Sequence, residues 1–306
     1  MDEFGLIRRY FSRASGSPGI VVGVGDDGAI LTPTPGLQQV QVIDTLVEGV
    51  HFPSNMEAAD VGFRVVAVNL SDSASMGARP RWMTLALTLW DKDEPWVEAF
   101  AAGLYAAAEE HGVALVGGDT TQGDLVVATV HITGEVEPGK ALLRSAAQPG
   151  DTIYVTGTLG DAAAGLEMFE NDRHDEFLLQ RFRRPAARID KGLELAGRAN
   201  AAIDISDGLI GDLRKLLDAS EAGADIDVDA LPLSPAIIAH FGEDDAIGFA
   251  LTGGDDYELC FTAAPGAVDG IEDITAIGTV TAGQDLVCRR GGQIIEVDDS
   301  GYRHFT

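Results

Sequence analysis

Val113-Ala114-Leu115-Val116-Gly117-Gly118-Asp119-Thr120 reads as a short buried strand that runs into two glycines and an acid. An unbroken apolar run of this length, bounded by turn residues, suits a strand covered on both faces. The same punctuation returns at Thr252-Gly253-Gly254-Asp255. A second echo pairs Ser71-Asp72 with Ser206-Asp207, each following an apolar segment. Two echoes, one member in each half, predict a mixed α/β (α+β) chain of two α/β domains of similar build.

Working outward, Gln38–Ile43 alternates polar and apolar residues, as a half-buried strand does, and ends at Asp44. Residues 58–70 carry Val61, Val65 and Val68 at helical spacing and lead into Ser71-Asp72. Strands are expected at Met83–Leu89 and Leu125–Val136. Asp93-Glu94-Pro95 opens a helix that Gly112 closes. Gln148-Pro149-Gly150-Asp151 reads as a loop, which sets the domains at 1–150 and 151–306. In the second, helices are expected near 160–170, 186–198 and 208–219, and strands near 201–205, 225–228, 257–262 and 274–280.

The 306 residues hold 49 acids against 21 lysines and arginines, a formal charge of −28. Such a surface repels nucleic acid and anionic membranes, so neither is an expected partner. Lysine is confined to Lys92, Lys140, Lys191 and Lys215. No apolar run is long enough to span a bilayer, and Met1-Asp2-Glu3-Phe4 lacks the basic and apolar regions of a secretory leader. Cys260 and Cys288 make no disulfide framework, and a cytoplasmic setting is expected.

Gly23-Val24-Gly25-Asp26-Asp27-Gly28 matches the glycine pattern of a dinucleotide loop. Two objections exclude that reading. The loop must open a helix, whereas Thr32-Pro33-Thr34-Pro35-Gly36 cannot continue one. Asp26 and Asp27 would also face a pyrophosphate with like charge unless a cation lay between. The phosphate loop ending in Gly-Lys-Ser/Thr is absent, as is Gly-x-Ser-x-Gly, and no histidine pair has zinc-ligand spacing.

What recurs is an apolar segment that ends in Gly or Ser and then Asp: Asp26/Asp27, Asp44, Asp72, Asp119, Asp204/Asp207 and Asp255/Asp256. One such Asp is ordinarily a turn or a helix cap. Six of one type are better explained by cations, because gathered carboxylates repel unless neutralised. Hard oxygen ligands suit magnesium, and phosphoryl transfer needs positioning and charge neutralisation above all.

Six strings together resemble, in order, the motif series of the bacterial thiamine-monophosphate kinase family. They are Gly25-Asp26-Asp27-Gly28-Ala29, Asp44-Thr45-Leu46-Val47-Glu48-Gly49-Val50-His51-Phe52 and Asn69-Leu70-Ser71-Asp72, then Gly117-Gly118-Asp119-Thr120, Asp204-Ile205-Ser206-Asp207-Gly208-Leu209 and Gly253-Gly254-Asp255-Asp256-Tyr257-Glu258-Leu259. The family lies in the aminoimidazole-ribonucleotide-synthetase superfamily. The resemblance implies a kinase that transfers a phosphoryl group from ATP to thiamine monophosphate by direct in-line attack. It implies several Mg2+ ions held by Asp27, Asp44, Asp72, Asp119, Asp204 and Asp207. It implies ATP contacts at Gly118, Asp119, Arg144 and Ser206, and substrate contacts at His51, Glu258 and Tyr302, or Phe305 in its place. It also implies a homodimer whose N-terminal sheets join into a barrel, with the C-terminal domain completing the site. The family commonly has hydroxyl residues before the Asp-Thr-Leu string; here Val42-Ile43 stand there, so Ile43 would offer an ion only its carbonyl. The competing enzyme reading is an aminoimidazole-ribonucleotide-synthetase-like ATP-dependent ligase.

Overall fold

The computed structural model describes residues 3–13, 17–90 and 93–297. It divides into two compact units, Met1–Ser73 with Ala78–Pro138, and Ala74–Gly77 with Gly139–Thr306. Both are α/β.

In the first unit, helix α1 (Glu3–Leu6) continues as a wider turn, Ile7–Phe11. Strands β1 (Ile20–Val22) and β2 (Ile30–Leu31) then form an antiparallel hairpin. The glycine-rich segment is therefore a hairpin loop, and no helix follows it. A four-stranded sheet has the order β3 (Gln38–Val47), β6 (Val127–Val136), β4 (Arg79–Leu89), β5 (Ala114–Gln122). Strand β6 is antiparallel to both neighbours, and β4 and β5 are parallel. Along β3, Gln39, Gln41, Ile43 and Thr45 are exposed while Val40, Val42, Asp44 and Leu46 are more buried, the period of two expected of a half-covered strand.

Helix α2 (Ala58–Ser75) and helix α3 (Glu94–Glu110) cross closely where each has a glycine. A Cβ on Gly62 would lie 2.0 Å from the Phe100 carbonyl oxygen, and one on Gly103 would lie 1.8 Å from that of Ala59. Helix α3 begins as its sequence predicts: the Asp93 carboxylate accepts the Trp96 N–H at 3.0 Å. It ends at Glu110, and Gly112 just beyond has a φ of +68° that favours glycine.

The second unit carries a seven-stranded sheet ordered β13-β12-β9-β11-β7-β10-β8. In chain order these strands are β7 (Thr152–Thr156), β8 (Ala201–Asp204), β9 (Gly223–Asp227), β10 (Leu259–Ala263), β11 (Ile274–Thr281), β12 (Leu286–Arg290) and β13 (Gln293–Ile295). Helices α4 (Asp161–Glu170), α5 (Glu176–Arg183), α6 (Ile189–Leu195), α7 (Leu209–Ser220), α8 (Pro235–Phe241) and α9 (Glu243–Thr252) intervene. One buried core joins Ile153, Val155, Ile203, Leu213, Leu217 and Ile226. Both cysteines are free and buried, and burial pushes the Cys260 thiol up to about 12. Among the described residues, no helix is long and apolar enough to cross a membrane.

The two Gly-Gly-Asp echoes occupy different elements. Gly117–Asp119 lies inside β5, whereas Gly253–Asp255 follows helix α9. Ser71-Asp72 lies within α2, whereas Ser206-Asp207 lies between β8 and α7. The expectation that the acids end strands holds for Asp204, the last residue of β8. It fails for Asp44 and Asp119, which sit mid-strand; the helix expected to lead into Ser71-Asp72 is present and continues through them to Ser75. Apolar runs marked where these elements begin, but pairing with neighbouring strands carries β3 and β5 on past their acids.

Candidate functional site

In the first unit, Asp26 and Asp27 sit exposed in the β1–β2 loop, where the Asp27 N–H donates to the Asp26 carboxylate at 2.9 Å. Asp44 belongs to the cross-strand row Asp44–Val130–Leu85–Gly118, and Asp119 to the next row, Thr45–Thr129–Ala86–Asp119. Gly118 is required by close approach: a Cβ there would meet the Leu85 carbonyl oxygen at 2.0 Å. Asp44 and Asp72 are tied through Asn69, a fully buried residue one helical turn before Asp72. The Asn69 amide oxygen accepts the Asp44 N–H at 2.9 Å, and its Nδ2 donates to the Val65 carbonyl at 2.9 Å. Ile43 is 62% exposed.

His51 folds back over the end of β3. Its Nδ1 accepts the Val47 N–H at 3.1 Å, and its own N–H donates to the Val47 carbonyl at 2.9 Å. With Nδ1 an acceptor, the neutral ring carries its hydrogen on Nε2.

In the second unit, Asp204 ends β8, and Ser206 and Asp207 lie on the β8–α7 connection. Asp212, in the first turn of α7 and 1% exposed, holds that loop. Its Oδ2 accepts the N–H groups of both Ser206 and Asp207 at 2.8 Å. Lys215 Nζ then bridges Asp212 Oδ1 at 2.8 Å and Asp207 Oδ2 at 2.5 Å. Burial raises the Asp212 carboxyl above its ordinary pKa, partly offset by Lys215. Burial alone would lower the Lys215 ammonium, but its bonds to Asp207 and Asp212 leave it raised.

A second loop runs alongside. The Asp255 N–H donates to the Ser206 carbonyl at 2.9 Å, and the Tyr257 N–H to that of Ile205 at 2.8 Å. Asp255 and Tyr257 have φ of +72° and +52°, a costly conformation for residues with a Cβ. Two buried acids anchor the loop. The Asp256 carboxylate accepts the Gly160 and Ala162 N–H groups at the start of α4, at 2.6 and 3.3 Å. Burial pushes its pKa to about 7 despite Arg181 and those amides. Glu258 is wholly buried, with both oxygens engaged: Arg188 binds it bidentately at 2.5 and 2.6 Å, Arg181 at 2.9 Å, and the Thr156 hydroxyl at 2.5 Å. Arg144 is exposed in a short turn, Arg144–Ala146, whose first carbonyl accepts the Ser220 hydroxyl of α7 at 2.7 Å. Tyr302 and Phe305 lie outside the described residues.

Sequence reasoning did not assign roles to Asn69, Asp212, Lys215, Arg181 or Arg188. Asp212 and Lys215 had a signal, since they stand three apart on a helix, where opposite charges meet. Among the described residues, no three His, Cys, Asp or Glu gather closely enough to cage an ion. The donors at hand are carboxylates, which fit magnesium: it takes one or two per ion and completes its shell with water and substrate phosphates.

Residues 25–136 match the model described as AIR synthase related protein, N-terminal domain, and residues 148–290 match that of the AIR synthase related protein, C-terminal domain. Two α/β units with acids on their loops and sheets thus place the chain in the AIR synthase related class. Within it, the thiamine-monophosphate kinase of Salmonella typhimurium is 46% identical over 99% of this chain and 98% of its own. The crystal structure of thiamine-monophosphate kinase from Stenotrophomonas maltophilia K279a superposes with a TM-score of 0.88 at 43% identity, covering 96% of this chain and 98% of that one. A structure of AaThiL complexed with AMPPCP and TMP superposes with a TM-score of 0.83 at 32% identity, covering 99% and 97%. The chain belongs to the thiamine-monophosphate kinase family.

Proposed function

We propose that this chain is an ATP-dependent thiamine-phosphate kinase that converts thiamine monophosphate to thiamine diphosphate. The observation that carries the reading is the 46% identity, sustained over 99% of the chain, to a kinase of that name. AaThiL, solved with AMPPCP and TMP, supports the same pair of substrates. The phosphate of thiamine monophosphate attacks the γ-phosphorus of ATP in line, the bond to the β-phosphate oxygen breaks, and ADP leaves. The attacking oxygen is already anionic, so no side chain need remove a proton, and none is assigned that role.

Catalysis of this kind is positioning and charge neutralisation. Magnesium, when bound, supplies the positive charge that offsets the phosphate oxygens. Asp27, Asp44, Asp72 and Asp119 on the first unit, and Asp204 and Asp207 on the second, would hold it, with Ile43 offering its carbonyl. Gly118, Asp119, Arg144 and Ser206 would contact ATP, and the Asp212 brace keeps the Ser206 and Asp207 amides in fixed positions. His51 and Glu258, with Tyr302 or Phe305, would contact thiamine monophosphate. Glu258 is the exception in its setting, since its oxygens are already held by two arginines and a threonine.

A homodimer joined through the first unit's sheet belongs to the same proposal. Its support is the exposed row Gln39, Gln41, Ile43 and Thr45 of β3, in which Ile43 is a large apolar side chain left uncovered. The compartment proposed is the cytoplasm, where two buried thiols stay reduced. Incubating the purified protein with ATP, Mg2+ and thiamine monophosphate should yield thiamine diphosphate and ADP in equal amounts by 31P NMR. Failure to form thiamine diphosphate would overturn the reading.

A further inference from the structure

Lys215 is one of four lysines in a chain of net charge −28, and its ammonium lies on an acid proposed above as a magnesium ligand. It bridges the Asp207 carboxylate, whose side chain is 30% exposed, and the Asp212 carboxylate, whose side chain is 1% exposed. Asp212 is committed on its other side, because its second oxygen holds the Ser206 and Asp207 amides. The bridge therefore has one fixed end and one movable end. Asp212 cannot leave without releasing the loop, whereas the Asp207 carboxylate can turn toward another cation while its backbone stays in place.

We infer that Lys215 is a positioning residue that serves as an internal counter-cation to Asp207, and that a divalent ion engages Asp207 by taking the place of this ammonium. The inference rests on Asp207 being a cation ligand. It assigns Lys215 two effects: it offsets part of the acidic loop's charge and keeps the loop ordered before nucleotide arrives, and it weakens divalent-ion binding by competing for Asp207. The competition is local to this chain's α7, because the lysine, not the loop, supplies the charge.

The test is Mn2+ binding to the full chain with a non-hydrolysable ATP analogue, followed by the EPR signal of the free ion, for wild type, Lys215→Met, Lys215→Arg, Asp207→Asn and the Asp207→Asn/Lys215→Met double variant. Removing a unit charge about 4 Å from a doubly charged ion in a near-aqueous dielectric should tighten Mn2+ half-saturation roughly thirtyfold in Lys215→Met. Lys215→Arg should stay near wild type, and the double variant should match Asp207→Asn, because the competitor matters only when Asp207 is a ligand. The Lys215 side chain is 46% exposed, so its replacement leaves no buried cavity, and Lys215→Gln repeats the measurement if the Met variant does not fold. Unchanged or weaker Mn2+ binding in Lys215→Met, with Asp207→Asn weakened, overturns the inference and leaves the ligand reading intact. Unchanged binding in Asp207→Asn overturns the ligand reading, and the inference with it.

Discussion

Replacing Glu258 with Gln keeps the side chain's shape and removes its charge. The residue is wholly buried, and its carboxylate holds Arg188 bidentately and Arg181 through one bond. The Arg181 side chain is 11% exposed and that of Arg188 is 31%. Two guanidinium groups would be left facing a neutral amide that can accept on one atom only. Breaking a buried ion pair from one side costs about 3–5 kcal/mol, and the partial exposure of Arg188 argues for the lower end, about 3 kcal/mol. For a folding unit of this size that corresponds to a fall of roughly 6–12 °C in thermal midpoint. Differential scanning calorimetry of Glu258→Gln measures it, with Arg188→Gln and the double variant completing a cycle. The double variant should lose less than the two singles combined, since Glu258 and Arg188 are then removed together and only Arg181 still faces the neutral amide. A midpoint within about 2 °C of wild type would refute the reasoning. If KM for thiamine monophosphate rose in such a stable variant, Glu258 would be a substrate contact and not an anchor.

Asp256 makes stability depend on pH in a direction opposite to most carboxylates. Its folded pKa of about 7 lies above the ordinary value of 3.8, so between those values the native state holds a proton that the unfolded chain has released. Its contribution is present below pH 4 and is lost as pH rises toward 7, with a slope of up to ~1.4 kcal/mol per pH unit. Urea titrations of Asp256→Asn should show that this slope has gone; an unaltered slope would rule Asp256 out as its source. Asp44→Asn and Asp119→Asn should lower kcat by roughly 10²-fold or more while circular dichroism melts stay near wild type. Either variant unfolding with its specific activity intact would make that residue structural.

Much of the fold was legible because local rules act over a few residues. Asp93, Pro95 and Gly112 delimit α3 by capping and backbone preference alone. The alternation along β3 names its exposed row. Helix α5 was missed because its three charged residues in eight hide an apolar stripe of Leu178, Leu179 and Phe182 that only packing reveals. Helix α9 had a usable signal in Glu243, Asp244 and Asp245, acids that favour a helix N-terminus. The acids of the site were legible one at a time. What holds them was not, since Asn69 meets Asp44 across 25 positions and Arg188 meets Glu258 across 70. No periodicity encodes such pairs. The strand-end expectation failed for Asp44 and Asp119 because ladder pairing, not the apolar run, decides where a strand stops.

The amide of Asn69 has a consequence for the magnesium ligands proposed on the first unit. It fastens the main chain at Asp44 to the helix that carries Asp72, and both parts are regular, hydrogen-bonded secondary structure. The interval between the two acids is thereby set when the chain folds. With these two acids as the proposed magnesium ligands, ordering them again at each encounter would be unnecessary, and that part of the entropic cost of association would be absent. A loop-borne pair would carry that cost each time, and its affinity would soften steeply on warming.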